Sequence, residues 1–295
     1  MAYQTGTMKN TQDLVDQLIV LMKTQGWVLD KQTSRYGVTW SYVHHPDTGY
    51  FLLETDSDTS LLLGGATGFD DRQSAGLQPG SSDTISVYLG PGSPPSPLVS
   101  YDFFVTSRYC HVVIQKGDSR FYHCGFGLLD KEGTYSGGQY VYAGYGDGYF
   151  PFDHHTQYSG GSWLRAEIPG ETGITSGWYP FRKTSPRAIG PGNPMVNGDH
   201  PDLLAMESSQ SALGGVLAPV PAALYITTSQ NITFRAGVVP DFCVCRMQGL
   251  TPRAKVQING EQWMVVPVHR LTFQRPPSGD NNDTSDWAYT FRISA

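Results

Sequence analysis

Hydrophobic positions recur at helical spacing near the start of the chain and alternate along most of the rest. Leu14, Leu18, Leu21 and Met22, flanked by Val15 and Ile19, mark one face of a helix. Asn10-Thr11 can cap its start, Gly26 stops it, and Asp13, Asp16 and Lys23 follow the charge order that a helix dipole favours. Trp27 and Val28 come next, so the helix is expected to fold back on a first strand with Trp27 anchored in the core. From Tyr36 the period changes to two: Val38, Trp40 and Tyr42 alternate with Thr39 and Ser41. A turn at His45-Pro46-Asp47-Thr48-Gly49 and a partner strand from Tyr50 to Glu54 complete a hairpin.

Further along, Gly, Ser and Asp punctuate residues 57–80, which read as a long surface loop, and 84–90 return to strand. The Pro- and Gly-rich residues 90–97 form a stiff turn that cannot sit inside a sheet. Three strand patterns follow at 101–106, 109–115 and 120–128, the last two joined as a hairpin through Lys116-Gly117-Asp118-Ser119. Regular patterning then fades from 132 to 201, a stretch expected to be a functional loop, arm or interface. Strands resume at 222–227, 242–247, 256–259 and 261–268, with Asn259-Gly260 as a two-residue hairpin turn, and a last one runs from 287 to 293. No repeat of 20–50 residues is visible. The fold class that emerges is mainly β (α+β): antiparallel β domain or domains with an N-terminal helix and long irregular loops. Residues 1–185 carry the helix and a β domain, and 186–295 form a C-terminal β segment that either joins it or stands apart.

Composition narrows the function. Charged residues are 16% of the chain, against roughly 25% in an average domain, while Gly and Pro are plentiful. Such a surface suits contact with other subunits. The net charge of −6 argues against a general nucleic-acid binder; Arg182, Lys183 and Arg187 are the nearest thing to a basic cluster and read as a solvated loop. A passive, mildly acidic wall beside passing DNA stays compatible with it. The apolar run from Leu14 to Met22 is too short to span a bilayer, and no basic segment leads into an apolar core, so the expectation is a protein assembled in the cytoplasm without a membrane partner.

Each chemically suggestive cluster has a plainer reading. Cys110-His111 and His123-Cys124 lie on the two arms of one hairpin, but neighbours on a strand point to opposite faces. Each face then offers about two ligands, and zinc would need a third from His154, His155 or His269. Buried thiols and hydrogen-bonded imidazoles are the expectation, with no metal and no cofactor. Asp153-His154-His155 and His44-His45 read as solvated turns. Cys243 and Cys245, one residue apart, share a strand face and lack redox spacing. Asp280, Asn282, Thr284 and Asp286 alternate like a calcium loop, but Ser285 and Phe291 stand where Gly and Glu are required. The glycines of 144–148 precede no helix and no Lys-Ser/Thr pair, so tight turns explain them. No serine stands in a Gly-x-Ser-x-Gly elbow, no cysteine has a protease context, and no carboxylate pair is singled out. Catalytic residues are therefore expected to be absent. The Tyr and Trp residues between 135 and 178 suit either a sugar-stacking platform or interface anchors.

Several short motifs carry a resemblance. They are Ala2-Tyr-Gln-Thr-Gly-Thr7, Asp13-Leu14, Gly26-Trp27, Gly125-Phe-Gly127, the stretch from Glu132 through Gly133-Thr134-Tyr135-Ser136-Gly137-Gly138-Gln139 to Tyr140, and the closing hairpin 256–268. Over most of its length the chain resembles virion structural proteins of tailed bacteriophages. That resemblance implies a non-enzymatic particle component: a ring-forming neck or collar protein at the head-to-tail junction, or a baseplate or tail-fibre-proximal protein. Its partners would be copies of itself, forming a homo-oligomeric ring by heterologous contacts, and other virion proteins. A carbohydrate-binding module and a polysaccharide hydrolase are the rival classes.

Overall fold

A computed structural model of the chain describes residues 1–56, 60–89, 99–117, 120–144, 160–168, 177–181, 219–227, 233–246, 250–267 and 287–294. The fold is mainly β and antiparallel, with one α-helix among the described residues. The chain opens with strand β1 (Ala2–Thr7), which the sequence pattern did not disclose, and then enters helix α1 (Thr11–Thr24). Asn10 caps the helix by accepting a 2.8 Å bond from the Asp13 N–H. Beyond Gln25 the chain leaves through Gly26 at φ +87°, and the Trp27 indole, buried, donates to the Thr106 carbonyl at 2.7 Å.

The first sheet is a meander of β2 (Val28–Arg35), β3 (Val38–His45), β4 (Gly49–Asp56), β5 (Ser60–Ala66) and β6 (Ile85–Tyr88). The β3–β4 hairpin turns at the expected residues, with His45 opposite Gly49. Residues 57–80 are not one surface loop. Residues 60–66 form β5, with Leu61 and Leu63 buried in the core, and the loop begins beyond it. The Gly and Ser residues around β5 mask its alternation, because a strand covered on both faces tolerates small residues where a turn would also use them.

The central sheet contains β7 (Val99–Val105), β8 (Tyr109–Lys116) and β9 (Arg120–Leu128). After β9 a two-residue strand, β10 (Asp130–Lys131), leaves for the third sheet, and the chain returns as β11 (Ser136–Gly144), β12 (Gly160–Glu167) and β13 (Trp178–Phe181). The order is β1-β7-β8-β9-β11-β12-β13, all antiparallel. Thus 132–201 is not irregular throughout, because residues from it build three of the seven strands of the central sheet. The third sheet is β10 with β14 (Val220–Thr227), β15 (Thr233–Arg246), β16 (Ala254–Ile258), β17 (Glu261–Pro267) and β18 (Trp287–Ser294). Asn259 and Gly260, at φ +52° and +86°, make the turn between β16 and β17.

The three sheets stack, and the middle one is covered on both faces. Tyr101, Phe103, Cys110, Val112, Ile114, Cys124, Phe126 and Val141 face the first sheet and α1, in one core with Leu14, Leu18, Phe51, Leu63 and Val87. Phe104, Tyr109, Val113, Phe121, Tyr140 and Tyr142 face the third sheet, in a second core with Leu224, Phe242, Met264 and Phe291. Antiparallel sheets commonly leave one face to water. Here β8 is buried from Tyr109 to Ile114 without a break. Within the central sheet Gly125 and Gly127 let β9 lie close to β8 and the residue before it: a Cβ on either would lie 2.5 Å from a backbone carbonyl oxygen, that of Cys110 or Arg108 respectively.

Candidate functional site

The hairpin pairs Cys110-His111 and His123-Cys124 are split between the two cores, as strand geometry requires. Cys110 and Cys124 face the first sheet, whereas His111 and His123 face the third. His111 is fully buried: its Nε2 lies 3.2 Å from the Pro240 carbonyl and its Nδ1 2.9 Å from the Tyr142 hydroxyl. A carbonyl can only accept, so Nε2 carries the proton and Nδ1 accepts from Tyr142. Burial pushes the His111 pKa down to about 3, which keeps the ring neutral and a fixed bridge between sheets. His123 Nε2 makes the matching bond to the Pro267 carbonyl at 2.8 Å.

Around these imidazoles runs a polar belt that joins the central and third sheets. Asp102, wholly buried, accepts from the Tyr3 hydroxyl at 3.0 Å and from Arg253 at 2.8 Å. Asp241, at φ +56° where β15 bends after Pro240, accepts from the Tyr109 hydroxyl at 2.5 Å and from Arg292 at 2.7 Å. Arg292 also holds Glu261 at 2.7 Å. Buried charges persist only where partners replace water, and Asp102 and Asp241 each take one partner from their own sheet, Tyr3 or Arg292, and one from across the layers, Arg253 or Tyr109. The belt's carboxylates are each engaged by an arginine.

The four cysteines are buried as free thiols, and burial raises every one of their pKa values, Cys243 and Cys245 to about 12. Cys243 and Cys245 follow one another on the same side of β15, away from the second core. Among the described residues no group of three or more His, Cys, Asp or Glu could hold a metal ion. His44 and His45 are not a solvated turn. His44 Nδ1 meets Asp30 at 2.8 Å, and His45 is buried against the Trp27 ring at 5.6 Å. The aromatics between 135 and 178 are not a platform where they are described, because Tyr135, Tyr140, Tyr142, Trp163 and Trp178 are all core residues. His154, His155, His269, Asp153, Asp280, Asn282, Thr284, Ser285, Asp286, Arg182, Lys183, Arg187 and the glycines 146 and 148 lie outside the described residues, whereas Phe291, placed at the end of that calcium-like pattern, is a core residue of β18.

A cleft that the sequence did not announce opens on the outer face of the first sheet. It encloses about 330 Å³. Tyr42, Leu52 and Gly64 are paired across β3, β4 and β5, so all three present the same face. Gly64, Ala66 and Gly68 leave the floor free of bulk, while Tyr42, Tyr50 and Phe69 supply ring walls, with Tyr42 and Phe69 5.1 Å apart. The covering loop, 67–84, is organised around the buried Gln78. Its amide donates to the carbonyls of Asp70 and Gln73, both at 3.1 Å, and accepts from the Asp70 N–H at 2.9 Å. From the central sheet Trp178 donates to the Gly80 carbonyl at 2.7 Å and packs against Gly65, where even a Cβ would collide with its ring. Compact loops of this kind, packed by their own side chains, often carry function.

Glu54 lines the same cleft, partly buried, and accepts from the Trp40 side chain. Desolvation raises its pKa first, and the neighbouring Asp56 adds to the rise. The Tyr42 hydroxyl is raised as well, by burial and by the Glu54 charge. No protein-family model matches this chain, and no curated protein matches it significantly. No helix among the described residues is long and apolar enough to cross a membrane.

Proposed function

We propose that this chain is a structural subunit of a tailed-phage particle, working by packing against copies of itself and other virion proteins, with a ring at the head-to-tail junction as its place. The observation that carries the reading is where the residues of the resemblance lie. Ala2–Thr7 is the edge strand β1, Gly26-Trp27 closes the helix, Gly125 and Gly127 let strands approach, and Gly133, Gly137 and Gly138, all at positive φ, shape the crossing back from the third sheet. None of them lines the cleft. On this reading the motifs that carry the resemblance specify an architecture rather than a chemistry, which is what a particle component requires.

The polar groups that could serve catalysis support the same reading, because His111, His123, Asp102 and Asp241 are committed to bonds between sheets. A mildly acidic ring wall would let DNA pass without binding it. Native mass spectrometry of the purified chain tests the proposal. A closed ring of a single stoichiometry is expected, and a monomer over the whole accessible concentration range would overturn it.

A further inference from the structure

We infer that the cleft on the outer face of the first sheet, walled by Tyr42, Tyr50 and Phe69 and carrying Glu54, is a binding site for the ammonium head of an organic cation. Three observations select that chemistry. First, the lining holds two carboxylates, Glu54 and Asp83, and no lysine, arginine or histidine. An anionic ligand would meet two like charges there and no cationic side chain. Second, among the described residues Glu54 is in no ion pair; it accepts from the neutral Trp40 indole, so its charge is uncompensated although partly removed from water. A cation supplies that compensation. Third, the walls are aromatic, and ring faces attract a desolvated ammonium more strongly than a neutral group of the same shape.

The site is built rather than incidental. The small residues Gly64, Ala66 and Gly68 open the floor, and Gln78 and Trp178 fix the loop that forms the far wall. Its volume of about 330 Å³ lies at the small end of ligand pockets and suits a head group rather than an extended chain. The stacking of His44 on Tyr50, ring centroids 4.8 Å apart, holds one wall in place from outside the cleft.

Calorimetric titration of the full chain tests this with choline, n-butylamine and their neutral counterparts, 3,3-dimethylbutan-1-ol and butan-1-ol, with methyl glucoside as a neutral sugar. Choline or n-butylamine is expected to bind about tenfold or more tightly than its neutral counterpart. A preference for choline marks a free quaternary ligand, and a preference for n-butylamine marks the lysine side chain of a neighbouring chain. Glu54→Gln keeps an acceptor for Trp40 and should abolish the discrimination while leaving the thermal midpoint unchanged; Phe69→Ala should weaken both ammonium probes without touching the sheet. Equal binding of charged and neutral probes, full affinity in Glu54→Gln, binding of the glucoside alone, or no binding at all would each overturn the inference.

Discussion

His111 shows how one residue ties the interior to solution conditions. Its neutral ring satisfies both partners at once, donating to Pro240 and accepting from Tyr142. A protonated ring would present a second N–H to a hydroxyl that now donates, and would place a charge where burial has removed solvent. The folded pKa of about 3 lies below the ordinary 6.5, so between those values the unfolded chain binds the proton and the folded chain does not. Stability from this group is therefore complete above pH 6.5 and falls as the pH drops through 6.5 towards 3, by on the order of a few kcal/mol in all. His111→Gln can reproduce both hydrogen bonds but not the titration. Denaturant unfolding of the two proteins at pH 7 and pH 5 is expected to give a constant packing loss for the variant and a shallower acid slope. Parallel slopes would mean that His111 is not the group responsible.

At the scale of elements, α1 is the most completely legible piece of the molecule. Its cap, apolar face and stop are all local, and the chain follows each of them. The helix bridges two layers: Gln17 meets Tyr101 of the central sheet, and Gln12 and Asp16 meet Thr55 and Gln32 of the first. Removing its cap should thus be felt across the core. Asn10→Ala deletes the bond to the Asp13 N–H and should cost about 1 kcal/mol, read as a lower thermal midpoint with unchanged helix content at 20 °C, whereas Asn10→Ser should recover most of the loss. Strands were legible only where alternation or a turn marked them. The hairpins β3–β4, β8–β9 and β16–β17 are such cases, the last because Asn259-Gly260 takes positive φ at both positions. By contrast β5 and β11 to β13 hide behind glycines that serve close packing, and β15 runs through Gly237, Pro240 and Asp241, which read as breaks because the strand does bend there. The cleft was invisible for a related reason: its parts come from β3, β4, β5 and a loop, and pairing register alone brings Tyr42 beside Gly64.

The stack of three sheets ranks the interior by depth, and the four thiols report that ranking. Cys110 and Cys124 lie between the central and first sheets, wholly buried, in the core that also holds α1. Cys243 and Cys245 lie on the far side of the third sheet, where Cys245 packs in a small cluster with Val265 and Ala288, against which Leu250 and Val256 lie. Exposing the first pair means separating two sheets and the helix, which amounts to unfolding; exposing the second requires only a local opening on the outer face of the third sheet, where the cluster around Cys245 is small. All four pKa values are raised, so reactivity in the native state depends on opening rather than on ionisation. Labelling with a thiol reagent at pH 8 is expected to proceed in two phases of two thiols each. The fast phase should disappear in Cys243→Ser/Cys245→Ser, and the slow one should track global unfolding as denaturant is added. If all four react together, or if Cys110 and Cys124 react first, the central sheet is not the protected layer and the order of the stack is wrong. The third sheet would then be the more stable partner, and the polar bonds of Arg253 to Asp102 and of Tyr109 to Asp241, rather than the apolar core beneath α1, would have to be what holds the layers together.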